Sequence, residues 1–267
     1  MGAYRAVFCD IDGTLLTSGH QVTPATAKKV REISENGIPF VLTSSRMPAA
    51  IYPIQKTIGF KGPLICYGGG LVLDENRKVL SSVGFSQELA SEIRKEFPLE
   101  TEECCFCIYS GDTWIVRDKK HFLVRKEEEI TLARAVEGSP EKILSSDAPV
   151  HKLWGVGPAE LLDETANRLK GKFPQCFFCK SAPHLLEITD KRASKSQAIH
   201  ILCEEWGISP AEILSFGDNY NDIDMLRAAG HSVAMGNAPE EVKAAASELT
   251  ADSDNEGLLL VLNRLFP

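Results

Sequence analysis

The chain has 267 residues, 43% apolar and 25% charged, which is ordinary globular usage and long enough for one large or two modest domains. Its 29 Lys and Arg against 37 Asp and Glu give a net charge of −8. That balance argues against a nucleic-acid partner or an anionic membrane surface, because phosphate backbones demand clustered cations. No apolar run approaches the ~18 residues of a membrane span and no charged-then-apolar leader opens the chain, so a cytoplasmic location away from membranes is expected.

In chain order, YRAVFC (4–9) reads as a buried strand. Thr23 caps a helix with Pro24 at its first position, and the pair Asn36 and Gly37 is a left-handed stop. IPFVLT (38–43) is a second strand, MPAAIYPIQKTIG (47–59) a helix ending at Gly59, and GPLICY (62–67) a third strand. LVLDENRKVL (71–80) reads as a hairpin turning through DENRK.

The middle, 83–187, changes character. A helix, SQELASEIRKEF, precedes a strand pair around FCIYSGDTWIVR; a second helix spans about 158–170, and the strands CFFCK and HLLEIT follow. KEEEI (126–130) reads as a solvated charge run. The last part returns to strand and helix alternation: SKSQAIHILCEEWG, ILSFGD, NDIDMLRAAG stopped by Gly230, HSVAMG, and the amphipathic GLLLVLNRLF. Continuous apolar strands alternating with helices predict an α/β fold, a doubly wound and mostly parallel sheet. Its core takes 1–82 and 188–267, with 83–187 inserted as an α+β domain.

Ligands of such sheets bind at the carboxyl ends of the strands, where three loaded segments fall: DIDGT, SSR and GDNYND. Asp10 and Asp12 share one side of an extended segment, and Gly13, followed by Thr14, permits a sharp turn. Adjacent carboxylates resist joint ionisation unless a cation neutralises them, and Asp218 and Asp222 arrive at the same edge. Mg²⁺ suits such a site because it takes one or two carboxylates and leaves room for water and phosphate. Ser44 offers a hydroxyl and Lys195 an ammonium. A phosphate dianion beside Asp10 and Asp218 carries about four negative charges, against three positive ones from Mg²⁺ and Lys195.

Other features have plainer readings. Cys104, Cys105, Cys107, Cys176 and Cys179 lie in strands, where cysteine behaves as a small apolar residue more readily than as a zinc ligand. In a chain of this length without a leader, all eight cysteines are expected as reduced thiols. DSDNEG (252–257) lacks the Glu that a calcium loop needs at its twelfth position, where Asn263 stands, and reads as a helix cap before LLLVL. His20 and His184 are more common as surface or satisfied core residues than as site residues.

DIDGT, a Ser at the second strand end, a Lys opening a later helix and GDNYND, in that order, resemble the haloacid dehalogenase superfamily. The large insert resembles the Cof-type subfamily with an αβ cap of the C2B type, and the match spans essentially the whole chain. The resemblance implies a phosphoric monoester hydrolase acting on a small phosphorylated metabolite, such as a sugar phosphate or a phosphorylated cofactor. It implies Asp10 as nucleophile, Asp12 as general acid and base, and Mg²⁺ held by Asp10, the Asp12 carbonyl and Asp218. The neighbouring acids are expected to keep Asp12 protonated for its first task. Ser44, Lys195 and Asn221 would bind phosphate, and Gly13, Thr14, Ser45, Arg46 and Asp222 would support, Asp222 by fixing Lys195. Specificity would rest on the cap, with Trp114, Lys152, Trp154 and His184 as candidates.

Two departures stand out. Ser44-Ser45-Arg46 replaces the family's common Thr-Gly-Arg, and Tyr67 stands where Asn often faces the substrate. A phosphomannomutase-like phosphomutase shares the same motifs, and a silent sugar-phosphate-binding module is the non-enzymatic alternative. An intact Asp12 speaks against the module, since a binder has no use for it.

Overall fold

The computed structural model describes residues 4–97 and 101–267. In chain order the first part contains β1 (Ala6–Asp10), α1 (Pro24–Glu35), β2 (Phe40–Thr43), α2 (Pro48–Ile58), β3 (Leu64–Cys66), β4 (Leu71–Leu73) and β5 (Val79–Ser82). The middle adds α3 (Gln87–Lys95), β6 (Cys105–Ser110), β7 (Thr113–Val116), α4 (Phe122–Thr131), β8 (Ala135–Glu137), α5 (Pro140–Ile143), β9 (Lys152–Val156), α6 (Ala159–Lys172), β10 (Cys176–Ala182) and β11 (Leu185–Asp190). The last part supplies α7 (Lys195–Trp206), β12 (Ile213–Gly217), α8 (Ile223–Ala228), β13 (His231–Ala234), α9 (Glu240–Lys243), β14 (Glu248–Leu249) and α10 (Gly257–Leu265).

The chain divides into two compact units: one of Met1–Arg46, Ile51–Ser81 and Ser194–Pro267, the other of Met47–Ala50 and Ser82–Ala193. In the first, strands from both ends of the chain form one sheet in the order β14-β13-β12-β1-β2-β3-β4-β5. The pairs from β14 through β3 are parallel and β3–β4 is antiparallel. Strand β1 lies between β12 and β2, and all five of its residues are buried, as an apolar strand covered on both faces requires. Register pairs Cys9 with Phe216 and Asp10 with Thr43, so Asp10, Ser44 and Asp218 leave the sheet at one edge.

The second unit is a six-stranded sheet in the order β10-β11-β9-β6-β7-β8. One face packs Phe106, Ile108, Leu153 and Ile188 against Leu162 and Leu169 of α6 and Ile93 of α3. Directly opposed cross-strand partners share a face. By that register Tyr109, Trp114, Lys152, Trp154 and Glu187 lie together on the other one.

KEEEI, expected as a solvated charge run, lies in α4 with its residues exposed or half-buried, and Leu132 ends that helix in the left-handed region at φ 59°. Two local expectations change. The helix predicted from Asn221 starts at Ile223, because Asp222 is spent on a preceding 3₁₀ turn (Tyr220–Asp222). Asp252 caps the short turn Ser253–Asn255 rather than α10, whose first position follows Glu256 at φ 55° without a side-chain cap. Among the described residues, no helix is long and apolar enough to cross a membrane.

Candidate active site

Lys195 is the first residue of α7, a helix whose Ser194 cap accepts the Gln197 N–H. That start aims Nζ at two carboxylates, 2.5 Å from Asp10 Oδ1 and 2.5 Å from Asp222 Oδ1, with the lysine 1% exposed. Burial alone would lower its pKa, but Asp10 and Asp222 outweigh burial and hold it above the ordinary lysine range. The second Asp222 oxygen accepts the backbone N–H groups of Asp218 (3.0 Å) and Asn219 (2.9 Å). Asp222 is thus a buried hinge pin: one oxygen fixes the lysine and the other folds the GDNYND turn.

Asp218 faces the DIDGT loop. Thr14 Oγ1 donates to its Oδ1 at 2.8 Å, and Asn237 Nδ2 donates to its Oδ2 at 3.1 Å. Gly13 is obligatory here on two counts: its φ is +82°, and a Cβ would stand 2.3 Å from Asp218 Oδ2. Burial is the main cause that pushes the Asp218 carboxyl up to about 6. Burial first, then the charge of Asp222, raises Asp10 well above the usual carboxylate range despite Lys195.

Asp10, Asp218 and Asp222 each bring a carboxylate oxygen within 4.8 Å of the others. Three carboxylates against one ammonium leave two negative charges in excess, which adds to burial in raising Asp10 and Asp218. An all-oxygen donor set with a charge deficit of two fits a hard divalent cation. Asp222 is fully buried and committed to the ammonium and two backbone N–H groups, whereas Asp218 is only partly buried, so Asp10 and Asp218 are the better donors. The charge count expected from the sequence omits Asp222, which the structure adds.

A pH effect follows. Asp218 holds its proton more tightly folded than unfolded, so its contribution to stability is full below about 4 and is lost as pH rises through about 6. In chelator, the wild-type melting temperature should therefore fall across that window relative to Asp218→Asn. Equal pH slopes for the two proteins would refute the raised carboxyl.

Asp12 requires a correction. It is expected among other acids, yet its half-exposed carboxylate is gripped by Arg46, Nε to Oδ2 at 2.8 Å and Nη2 to Oδ1 at 2.6 Å. The two groups form a bidentate pair, with His20 Nδ1 4.0 Å from Oδ1. Ser44 is 2% exposed, and its Oγ accepts the Arg46 N–H in a tight local turn. Ser45 is half-buried between them, and Asn221 is exposed in its turn.

Tyr67 is buried and sits at φ 54°, followed by Gly68 at 63° and Gly69 at 104°. Its N–H donates to Arg46 O and that of Gly68 to Ser44 O, while a Cβ on Gly69 would meet Ser194 O at 2.1 Å. This left-handed turn ties the 44–46 loop to the start of α7. Asn237 is the contributor that the sequence motifs miss. In the second unit, Trp114, Lys152 and Trp154 are buried and His184 is exposed. Lys152 lies 3.8 Å from Glu187 with its ammonium 5.0 Å from the Tyr109 ring centre, and Tyr109 stacks on Trp114 at 5.7 Å. Burial pushes the Cys176 thiol up to about 11 and raises Cys179 as well.

With this geometry in hand, comparison with known proteins is informative. A family model described as haloacid dehalogenase-like hydrolase matches residues 7–262. A Haemophilus influenzae protein that carries a provisional phosphatase name is 37% identical, over 99% of both chains. An HMP-PP phosphatase from Serratia proteamaculans is 28% identical over 92% of this chain and 89% of its own. A solved haloacid dehalogenase-like hydrolase from Bacteroides thetaiotaomicron superposes with a TM-score of 0.87 at 26% identity, covering 98% of this chain and 100% of that one. A solved subclass IIB sugar phosphatase is 25% identical with a TM-score of 0.76, covering 97% and 98%.

Proposed function

From the premise that this chain belongs to the haloacid dehalogenase-like hydrolase family and is a phosphoric monoester hydrolase, we propose a magnesium-dependent phosphatase of small phosphorylated metabolites that carries the phosphoryl group on Asp10. The observation that supports it most is the cluster of Asp10, Asp218 and Asp222 with a single lysine, which leaves an excess of two negative charges. Asp10 and Asp218, with the Asp12 backbone carbonyl, would hold Mg²⁺, which when bound supplies the positive charge that phosphoryl transfer needs.

In the first step an Asp10 oxygen attacks phosphorus, the bond to the leaving oxygen breaks, and Asp12 gives that oxygen a proton. In the second, Asp12 takes a proton from water as the water oxygen attacks the Asp10-bound phosphorus, releasing inorganic phosphate and the free carboxylate. Lys195 fixes the Asp10 rotamer and offsets charge on the phosphoryl oxygens. Ser44 donates a hydroxyl hydrogen bond to one of them. Arg46 offsets a share of the anionic charge, and its two hydrogen bonds to Asp12 must open for Asp12 to carry a proton.

The insert would set specificity, because the phosphate is common to every substrate and only the leaving moiety differs. Trp114, Trp154, Lys152 and Glu187 combine aromatic faces with a donor and an acceptor, a set suited to a polyhydroxylated or heterocyclic leaving group. The sugar phosphatase and the HMP-PP phosphatase among the similar proteins support a substrate of that size.

Metal removal tests the reading. Hydrolysis of 4-nitrophenyl phosphate should fall to background in EDTA and return with added Mg²⁺; turnover that resists EDTA would contradict it. Inorganic phosphate as the product, rather than an isomerised sugar phosphate, separates the phosphatase from a phosphomutase.

A further inference from the structure

We infer that Asn237, together with the 251–257 loop, is a positioning device for the cation pole of the site, holding Asp218 from the oxygen opposite Thr14 and lying outside the DIDGT, SSR, Lys195 and GDNYND motifs. The inference rests on Asp218 being a metal ligand. Asn237 follows β13 in the segment MGNAP. Its side-chain amide is fully used: Nδ2 donates to Gly13 O at 3.0 Å and Asp218 Oδ2 at 3.1 Å, and Oδ1 accepts the Ser253 N–H at 3.2 Å. The orientation is determined by chemistry, since a flipped amide would set its oxygen against a carbonyl and a carboxylate.

One group therefore joins three loops: the DIDGT turn, the GDNYND turn and the segment DSDNEG. That last segment also holds the chain beyond Asp12. Asp254 Oδ1 accepts the Ser18 N–H at 2.7 Å, and Glu256 Oε1 accepts from Thr23 Oγ1 at 3.0 Å. Close backbone approach locks the arrangement, because a Cβ on Gly236 would lie 2.7 Å from Asp252 N and one on Gly257 1.9 Å from Ala251 O. Asp254 and Glu256 are thus spent as acceptors on the chain beyond Asp12, and Asp252 on Asn255 within the turn Ser253–Asn255.

The consequence is specific. Asp218 is aimed from both oxygens, by Thr14 on one and Asn237 on the other. Partners of this kind, which orient a ligand rather than touch the metal, set metal affinity by about 10- to 100-fold.

Calorimetric titration of Mg²⁺ into the free enzyme tests this. Asn237→Ala removes both donors without adding charge and should weaken Mg²⁺ binding about 10-fold or more. Asn237→Asp keeps the shape and the acceptor for Ser253 but sets a carboxylate against Gly13 O and Asp218. It should lower the melting temperature in EDTA and show a larger Mg²⁺-induced rise than wild type. A residue that serves packing alone would lower both melting temperatures and leave both metal responses unchanged, and that result overturns the inference. Should Asn237→Ala not fold, the Asn237→Asp melting comparison decides. Absence of Mg²⁺ binding by the wild type would instead remove the metal reading on which the inference stands.

Discussion

Asp10→Asn is expected to lower aryl phosphate turnover by a factor on the order of 10⁴ or more, as loss of a nucleophile does in enzymes that act through a covalent intermediate. The carboxamide keeps the shape but lacks the anionic oxygen that attacks phosphorus. Stability should move the other way. Asp10 shares Lys195 with Asp222 and lies close to Asp218, so neutralising it relieves repulsion among three clustered carboxylates. In EDTA the variant should therefore melt at or above the wild-type temperature, and it should lose most of the stabilisation that Mg²⁺ gives the wild type. Such an opposition of stability and activity is common at active sites. An inactive variant that also melts far below wild type in EDTA would show that Asp10 is a structural ion-pair partner first.

Lys195→Met is expected to produce the largest loss of stability of any single change in the site. Methionine matches the length of the lysine stem, so packing is nearly kept while the charge is lost. Asp10 and Asp222 then stand buried with no cation, and breaking a buried pair in this way costs about 3–5 kcal/mol. Asp222 has an outlet in its two backbone N–H donors, whereas Asp10 has none among the described residues to replace the ammonium. Added Mg²⁺ should restore part of the lost stability, because the cation supplies some of the missing charge. Urea unfolding with and without Mg²⁺ reads both effects. A Lys195→Met protein within about 1 kcal/mol of wild type would mean that the three acids are not all ionised in the folded chain.

Much of this site is legible in the sequence because its acids follow buried strands. A run such as AVFC can only be a covered strand, and a covered parallel strand delivers its next residues to the ligand edge. Motif order then places Asp10, Lys195 and Asp222, and the structure joins all three. What the sequence conceals is how polar groups choose partners. Asp12 and Arg46 are 34 residues apart and nothing in either motif announces their pairing. Asn237 is one asparagine after a strand, a position that ordinarily marks a turn, and its value comes only from the three loops within reach. Tyr67 hides for a different reason: an aromatic residue at positive φ defies local preference and is held there by the backbone of Arg46 and the glycines that follow.

The same logic explains the elements that shift. FLVRKEEEIT looks polar because only Val124 and Thr131 are buried, so the periodic signal that marks an amphipathic helix is thin. DSDNEG resembles a cap because its acids precede an apolar run, but Asp254 and Glu256 are partnered by Ser18 and Thr23, more than 230 residues earlier. Local pattern identifies strands and helices well where burial is continuous, and poorly where a side chain is committed to a distant loop.

The most direct measurement is to trap the phosphoryl group. Enzyme mixed with excess 4-nitrophenyl phosphate and Mg²⁺, quenched in acid and reduced with borohydride, should yield homoserine at position 10 in the peptide mass spectrum. Full turnover with an unmodified Asp10, or with the reduced residue at any other position, would contradict it.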